Sequence, residues 1–469
     1  MKIICRTAAL LLFLSLLGHA SAADRLKVTR SVRLYEQPTS LSQKIRTLAV
    51  GELLTQASPG DTNDYVEVDT DQAEHGWVYK FRVTTVGQNN PGGGGGSPSA
   101  PRPIHGLSTR AFSELAPISG DEMRVHFIDI GQGASTLLEF PCGAALIDTG
   151  GEMVAGSYDS VPALRAYLDA FFQSRADLNG SLDLLALTHP HIDHTRGAAM
   201  VLDNFGVKNI IDNGQRRNDS GGTPQIKVED WAQQHVNLVS YEGIRASDVP
   251  AAGLTNDIID PFHSCARSTI DPQILVLWGQ MDPGANGASN PNNNSLAIRV
   301  KFNQFSLLVD GDLEMEGIAG LLGKFATHPD LLNVDVWEVG HHGSRNATTA
   351  DLVTALSPAL AVFCCGPFER QAGTFIAREF AHPNDVSVTA LEAEVTSKRT
   401  PVAEHIGVSG AHTDQQGQHI PAVFKTKIIN TGLFATGWDG NIVLTAKADG
   451  TFSVWTEKDA TNVGLTGGH

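Results

Sequence analysis

The stretch Leu182–Gly197 reads L-D-L-L-A-L-T-H-P-H-I-D-H-T-R-G, and no other segment constrains the fold as tightly. An apolar run that reads as a buried strand ends in His189, His191, Asp193 and His194, all within six residues. Burying three unpaired imidazoles and a carboxylate carries a large desolvation cost. Neutral imidazole and carboxylate are also standard ligands of zinc-like ions, so a metal offsets that cost. At an extended strand end His189 and His191 project to the same side. Asp193 and His194 then come from the turn into the next helix. One pair can hold one ion and the other pair a second.

The 469 residues allow two or three domains, and an ordinary apolar content of 41% supports a sizeable core. A formal net charge of -17 argues against gripping nucleic acid by bulk charge. It leaves room for an enzyme that meets a phosphate through metal ions. Residues 1–22 read as a secretory signal peptide: Lys2 and Arg6, the apolar Ala8–Leu17, then Ala20-Ser21-Ala22. The expectation is an exported protein, periplasmic or secreted, with no integral membrane segment after cleavage. Beyond the signal lie Cys142, Cys265, Cys364 and Cys365. Export permits disulfides, whose pairing spacing alone does not give. The vicinal Cys364-Cys365, in an apolar run, read as buried free thiols.

Residues 88–103, Q-N-N-P-G-G-G-G-G-S-P-S-A-P-R-P, cannot belong to a packed element. They divide the chain into a module at 26–86, a linker at 87–119 and a large module at 120–460. The small module has short alternating runs separated by turn residues, an all-β pattern. Its V-R-L-Y-E-Q-P-T-S (32–40), G-E-L-L (51–54) and H-G-W-V-Y (75–79) resemble a bacterial SH3-like domain. The resemblance implies a small barrel that binds cell wall or a protein partner. The large module alternates strand-like and helix-like segments, the pattern of a layered α/β fold. Strands are expected at Arg124–Ile130, Ser135–Phe140, Ala144–Ile147, Leu182–Leu187, Val207–Ile211, Ile274–Trp278, Leu296–Phe302, Phe305–Val309, Val334–Val339 and Leu360–Phe363. Helices are expected at Val161–Phe172, Gly197–Leu202, Val228–Val236, Glu314–Phe325 and Thr349–Leu356, with a polar insertion between Asn213 and Pro272.

H-x-H-x-D-H after an apolar strand resembles the signature of the metallo-β-lactamase fold, which implies an α/β αββα sandwich. Two further ligand-bearing strand ends should follow. D-G-D-L-E (310–314) offers Asp312, and G-H-H-G-S (340–344) offers His342, with His341 as the alternative. Together with F-I-D-I-G-Q-G-A-S (127–135), A-L-I-D-T-G (145–150), N-N-N-S-L-A-I-R (292–299) and A-H-P (381–383), the series is similar to the metallohydrolase domain of ComEC-type competence proteins. The likeness spans most of residues 124–445. Ala134 stands where the family commonly has Asp, and Asp310 where Thr is common. No polytopic channel accompanies the domain, so DNA uptake itself is not expected. His235 and His263, between the motif and Asp312, sit at no obvious strand end. Neither is expected to be a ligand, and the first ion is expected to be weakly held or absent.

The resemblance implies two divalent ions, zinc first and manganese as the alternative, roughly 3.5–4 Å apart and sharing Asp312 and a water. His189 and His191 would hold one, and Asp193, His194 and His342 the other. Asp193 and Asp312 are the expected catalytic carboxylates. Asp148 at its strand end is placed either to orient a ligand histidine or to cap its own turn. Gly131 and Gly133 either let backbone approach the site or make a plain turn. Asp129, Asn292–Ser295 (with Asn294 and Ser295 foremost) and His382 are candidates for supporting ligands or contacting substrate. The substrate class this implies is a phosphodiester, small or nucleic acid. Competing readings are hydrolysis of a lactone, β-lactam or phosphorylcholine ester, and a wall-binding protein with a vestigial hydrolase domain.

Overall fold

Apart from Asp183 near its start, Leu182–Leu187 is apolar on both faces because its strand is covered on both sides. In the computed structural model Ser181–Leu187 pairs in parallel with Gly143–Ile147 on one flank and Gly206–Asp212 on the other. Doubly buried parallel strands read as continuous hydrophobic runs. The structure describes residues 110–154, 158–217, 221–370, 375–415, 417–458 and 463–465 of the large unit. In the small unit it describes 25–28, 32–38, 43–49, 51–58, 65–79 and 83–85. The two compact units divide between residues 96 and 97. The signal-peptide expectation at 1–22 and the glycine run of the linker lie outside the described residues.

The small unit is a seven-stranded sheet in the order Lys44–Leu48, Val32–Tyr35, His75–Tyr79, Tyr65–Thr70, Leu53–Gln56, Arg25–Val28, Val83–Thr85. Every pairing is antiparallel. Leu34, Leu48, Leu54, Val68 and Val78 are fully buried and form its core. Arg46 pairs with both Glu52 and Glu74 across neighbouring turns.

Among the described residues the large unit holds two large sheets and three two-stranded ones. The nine-stranded one runs Ser240–Gly243, Gly206–Asp212, Ser181–Leu187, Gly143–Ile147, Thr136–Phe140, Glu122–Phe127, Ile442–Lys447, Phe452–Thr456, Val463–Leu465. The six-stranded one runs Gln273–Trp278, Ala297–Phe302, Phe305–Val309, Val336–Glu338, Leu360–Phe363, Leu433–Ala435. Phe127, Phe140, Ile147 and Ala186 of the first sheet share one core with Ile298, Leu307 and Val309 of the second. Each fully buried Phe or Leu there contributes roughly 1.5–3 kcal/mol. The alternate residues of the first sheet face helix Ser160–Ser174, where Tyr167 Oη sits 2.9 Å from His126 Nδ1. Helices Met315–Lys324, Ala350–Leu356 and Asp385–Glu394 bring Ile318, Leu321, Leu352, Leu356, Val388 and Leu391 to the shared core. Helices and the two large sheets thus stack as the α/β αββα sandwich that the sequence resemblance implied.

Strand Phe305–Val309 is parallel to Val336–Glu338, and that strand is parallel to Leu360–Phe363. Their carboxyl ends therefore gather on one edge, where open α/β sheets place their sites. Several expected boundaries move. The strand expected to reach Ile130 stops at Phe127, because Gly131 at φ 74° and Gly133 at φ 144° turn the chain. The helix expected at Val228–Val236 begins at Thr223, with Pro224 in its first turn. A short helix, Ala111–Glu114, falls inside the stretch expected to be linker, and strand Val463–Leu465 extends the sheet past residue 460. Cys142 and Cys265 form a disulfide, while Cys364 and Cys365 are free and buried. Among the described residues no helix is long and apolar enough to cross a membrane.

Candidate metal centre

Four strand ends deliver the cluster. After Leu187 come His189, His191, Asp193 and His194; after Val309 comes Asp312; after Glu338 comes His342; after Ile147 comes Asp148. Asp193, His194, Asp312 and His342 each offer a donor atom within 4.8 Å of the others, and all four are buried. His189, His191 and Asp312 form a second such group. Asp312 belongs to both groups, through different oxygens. Its Oδ1 is 3.0 Å from His194 Nε2 and 3.6 Å from His342 Nε2, while its Oδ2 is 3.7 Å from His189 Nε2.

Each donor is held from behind. His194 Nδ1 donates to Asp148 Oδ2 at 2.6 Å, and Thr188 N–H donates to Asp148 Oδ1 at 2.7 Å. Asp148 thus orients His194 rather than capping its own turn, and its φ of 58° aims it there. His342 Nδ1 donates to the Cys364 carbonyl at 2.7 Å, which leaves Nε2 facing Asp193 Oδ2 at 3.2 Å. Ser295 Oγ accepts from the Asp312 amide at 3.1 Å. His341 and His342 both occupy the left-handed region, at φ 50° and 55°. That conformation is uncommon outside glycine and is retained where surrounding contacts impose it.

The donor set fits divalent ions. His194 Nε2 and Asp312 Oδ1 face each other, buried, and neither has a hydrogen-bond partner. His189 Nε2 and His191 Nδ1 point at one another at 3.0 Å. Ligand atoms about 2 Å from a tetrahedral ion stand roughly this far apart. Burial, aided by the charge on His194, pushes His189 well below the ordinary histidine range. Burial also lowers His191, which favours the neutral form a metal requires. Burial opposes ionisation of Asp312, yet His194, His342 and His341 hold its carboxyl well below the usual range.

The motif is locked by close backbone approach. A Cβ on Gly150 would lie 1.7 Å from the Asp193 carbonyl, and one on Gly133 would lie 2.6 Å from the same oxygen. Ala134 N–H donates to the Asp193 carbonyl at 3.0 Å, and Thr149 N–H to that of His194 at 2.7 Å. Gly133 therefore serves close approach, whereas Gly131 packs beside Glu152 and Arg370.

Other expected residues sort as follows. Asn294 does not face the cleft: its amide donates to the Ala288 and Asn290 carbonyls and accepts from Met281 N–H, because it braces its own turn. Asn292 lines the cleft in its place. Asp129 spends its carboxylate on the Gly131 amide at 3.2 Å, away from the donor groups. Asp310, buried and pushed well above the carboxylate range by burial, accepts from Trp337 Nε1 at 3.0 Å and stands behind the cluster. His341 Nε2 lies 3.6 Å from Asp312 Oδ2, with Nδ1 3.1 Å from Glu314 Oε1, outside both donor groups. His382 lines the cleft. His235 stacks on Trp231, and His263 is exposed beside Asp271, so neither is at the site. Thr188, Glu314 and the Cys364 carbonyl were not anticipated. Only Thr188, next to the motif, carried a signal.

Residues 128–244 match the family model described as Metallo-beta-lactamase superfamily. The chain is 28% identical over 267 residues to ComE operon protein 3 of Bacillus subtilis, covering 55% of this chain and 30% of that protein. It is 26% identical over 301 residues to Competence protein ComA of Neisseria gonorrhoeae, covering 62% and 33%. It thus spans about a third of the length of these curated relatives. A solved structure, the metallo-beta-lactamase fold protein YhfI of Bacillus subtilis, aligns at 11% identity with a TM-score of 0.30, over 52% of this chain and 85% of that one. The chain carries a metallo-beta-lactamase-superfamily domain with a candidate metal site, the equipment of a metal-dependent hydrolase.

Proposed function

We propose that this metallo-beta-lactamase-superfamily hydrolase is an exported phosphodiesterase that works with two divalent ions, zinc or manganese. The observation that carries the reading is Asp312, whose two oxygens face two separate donor groups. His189, His191 and Asp312 would hold one ion, and Asp193, His194, His342 and Asp312 the other. Ions so held would acidify a water toward neutral pH and would neutralise charge that develops on the substrate. The chain's own residues do the positioning. Asp148 and the Cys364 carbonyl fix which nitrogens of His194 and His342 face the cleft. Ser295 fixes the backbone of Asp312. Asp193 and Asp312 are the two carboxylates that line the cleft where the phosphoester would lie. Water adds to phosphorus, the P–O bond to the leaving alcohol breaks, and the products are a phosphomonoester and that alcohol.

The names of the curated relatives, a competence operon protein and a competence protein, support a nucleic-acid-derived phosphodiester. A net charge of -17 favours a short substrate over long duplex. The small β unit is assigned an SH3-like role, holding the enzyme to cell wall or a protein partner. The test offers bis-p-nitrophenyl phosphate, nitrocefin and a lactone to protein loaded with zinc or manganese, with His191→Ala as blank. The expected result is phosphodiester hydrolysis that His191→Ala abolishes. Turnover of nitrocefin or lactone alone overturns the phosphodiester assignment.

A further inference from the structure

The cleft beside the donor groups, about 250 Å³, has a second end made of different chemistry. Phe375, Phe380 and His382 line it with Gln132, and among the described residues that line it none is a lysine or arginine. Phe380, the last residue of the short helix Ala377–Phe380, is 41% exposed. It stacks on His382 with ring centres 5.7 Å apart and planes at 25°, and Phe375 meets it edge-on at 5.5 Å. His382 is in turn 5.8 Å from the rings of both His341 and His342, so the aromatic end begins one ring away from the donor cluster. Gln132 is 1% exposed. Its Nε2 donates to His382 Nδ1 at 3.2 Å, while its Oε1 is buried and meets no donor among the described residues. Buried acceptors without partners are rare, and one that borders a cleft points to a ligand that brings an N–H or O–H.

We infer that this end of the cleft is a nucleobase subsite: Phe380, flanked by Phe375 and His382, stacks the base next to the scissile phosphate, and Gln132 Oε1 accepts one of its N–H groups. The inference rests on the phosphodiesterase reading and names its substrate class. Flat rings stack on exposed phenyl faces without strong preference among bases. Every nucleobase carries at least one N–H donor. A volume below the roughly 300–1,000 Å³ of sites for larger ligands suits one nucleotide unit.

The experiment measures binding of deoxynucleoside 5′-monophosphates and of 2-deoxyribose 5-phosphate, which has no base, to the metal-loaded full-length protein by calorimetry. The expected result is that the nucleotides bind about tenfold or more tighter than the base-free sugar phosphate. Phe380→Ala should erase that difference without weakening the sugar phosphate, Phe380→Trp should restore it, and Gln132→Leu should reduce it. Equal binding of nucleotide and sugar phosphate to the unmutated protein, or equal weakening of both by Phe380→Ala, overturns the subsite. If bis-p-nitrophenyl phosphate is hydrolysed in that case, only the subsite falls. If no phosphodiester is hydrolysed, the functional reading falls with it.

Discussion

His194 donates from Nδ1 to Asp148 Oδ2 at 2.6 Å, and both side chains are fully buried. The pair fixes the tautomer that leaves Nε2 toward Asp312. Asp148→Asn presents a carboxamide that either loses this acceptor or surrenders the one serving Thr188. Affinity for the ion assigned to Asp193, His194 and His342 should fall about 10- to 100-fold. Titration against a chromophoric chelator measures it, and an unchanged affinity would show that Asp148 is only part of the turn.

Gly150 is where the chain can least accept a side chain. Its Cβ would sit 1.7 Å from the Asp193 backbone. Gly150→Ala should cost more than ~4 kcal/mol, in the range of the most damaging single changes. Chemical denaturation reads the loss, and a variant within ~1 kcal/mol of the parent would mean that the motif's docking on residues 149–150 is softer than the geometry indicates.

Asp212 gives a pH signature away from the donor cluster. Burial, with Glu229 nearby, pushes its carboxyl up to about 8, and it accepts from Gly214 N–H and Tyr241 Oη. Its folded value exceeds the unfolded one, so the folded state binds the proton more tightly. The stability this contributes is present below about pH 4, is lost as pH rises toward 8, and stays lost above that. Asp212→Asn removes the titration. Denaturant midpoints taken from pH 5 to pH 8 should fall less in the variant than in the parent, by ~1 kcal/mol or more. Parallel curves would refute the assignment.

Cys142 and Cys265 tie the turn after Thr136–Phe140 to the insertion, closing a loop of 123 residues. Cys142→Ser with Cys265→Ser should destabilise the large unit by about 2–5 kcal/mol. Metal content should not change, because neither cysteine touches the donor groups. Thermal melting and metal analysis on the same samples check both parts.

Legibility in the sequence tracked burial. Phe305–Val309 and Leu360–Phe363 were expected at the residues where they occur, since fully buried strands write continuous apolar runs. The long hairpin Lys398–Ser409 with Val423–Thr431 was largely missed, because its strands are mostly exposed and the first starts K-R-T-P, which reads as loop. Helix Asp385–Glu394 buries only Ser387, Val388 and Leu391, too few to print a clear helical stripe. The donor residues were legible because imidazoles clustered at a strand end need a reason. Asn294 misled, since an asparagine bracing its own turn and one reaching a substrate look alike in sequence. Phe375 and Phe380 carried no signal, as their use depends on chain folding that brings 375–382 over residues 132 and 191–193.

The sharing of Asp312 between two donor groups is tested most directly by counting ions. Protein stripped by chelator, reloaded with zinc and dialysed should hold two ions per chain by mass spectrometry. Asp312→Ala should retain at most one, and it should be weakly held. A folded parent protein that takes up no ion, or an Asp312→Ala variant that holds two with undiminished affinity, would contradict the account.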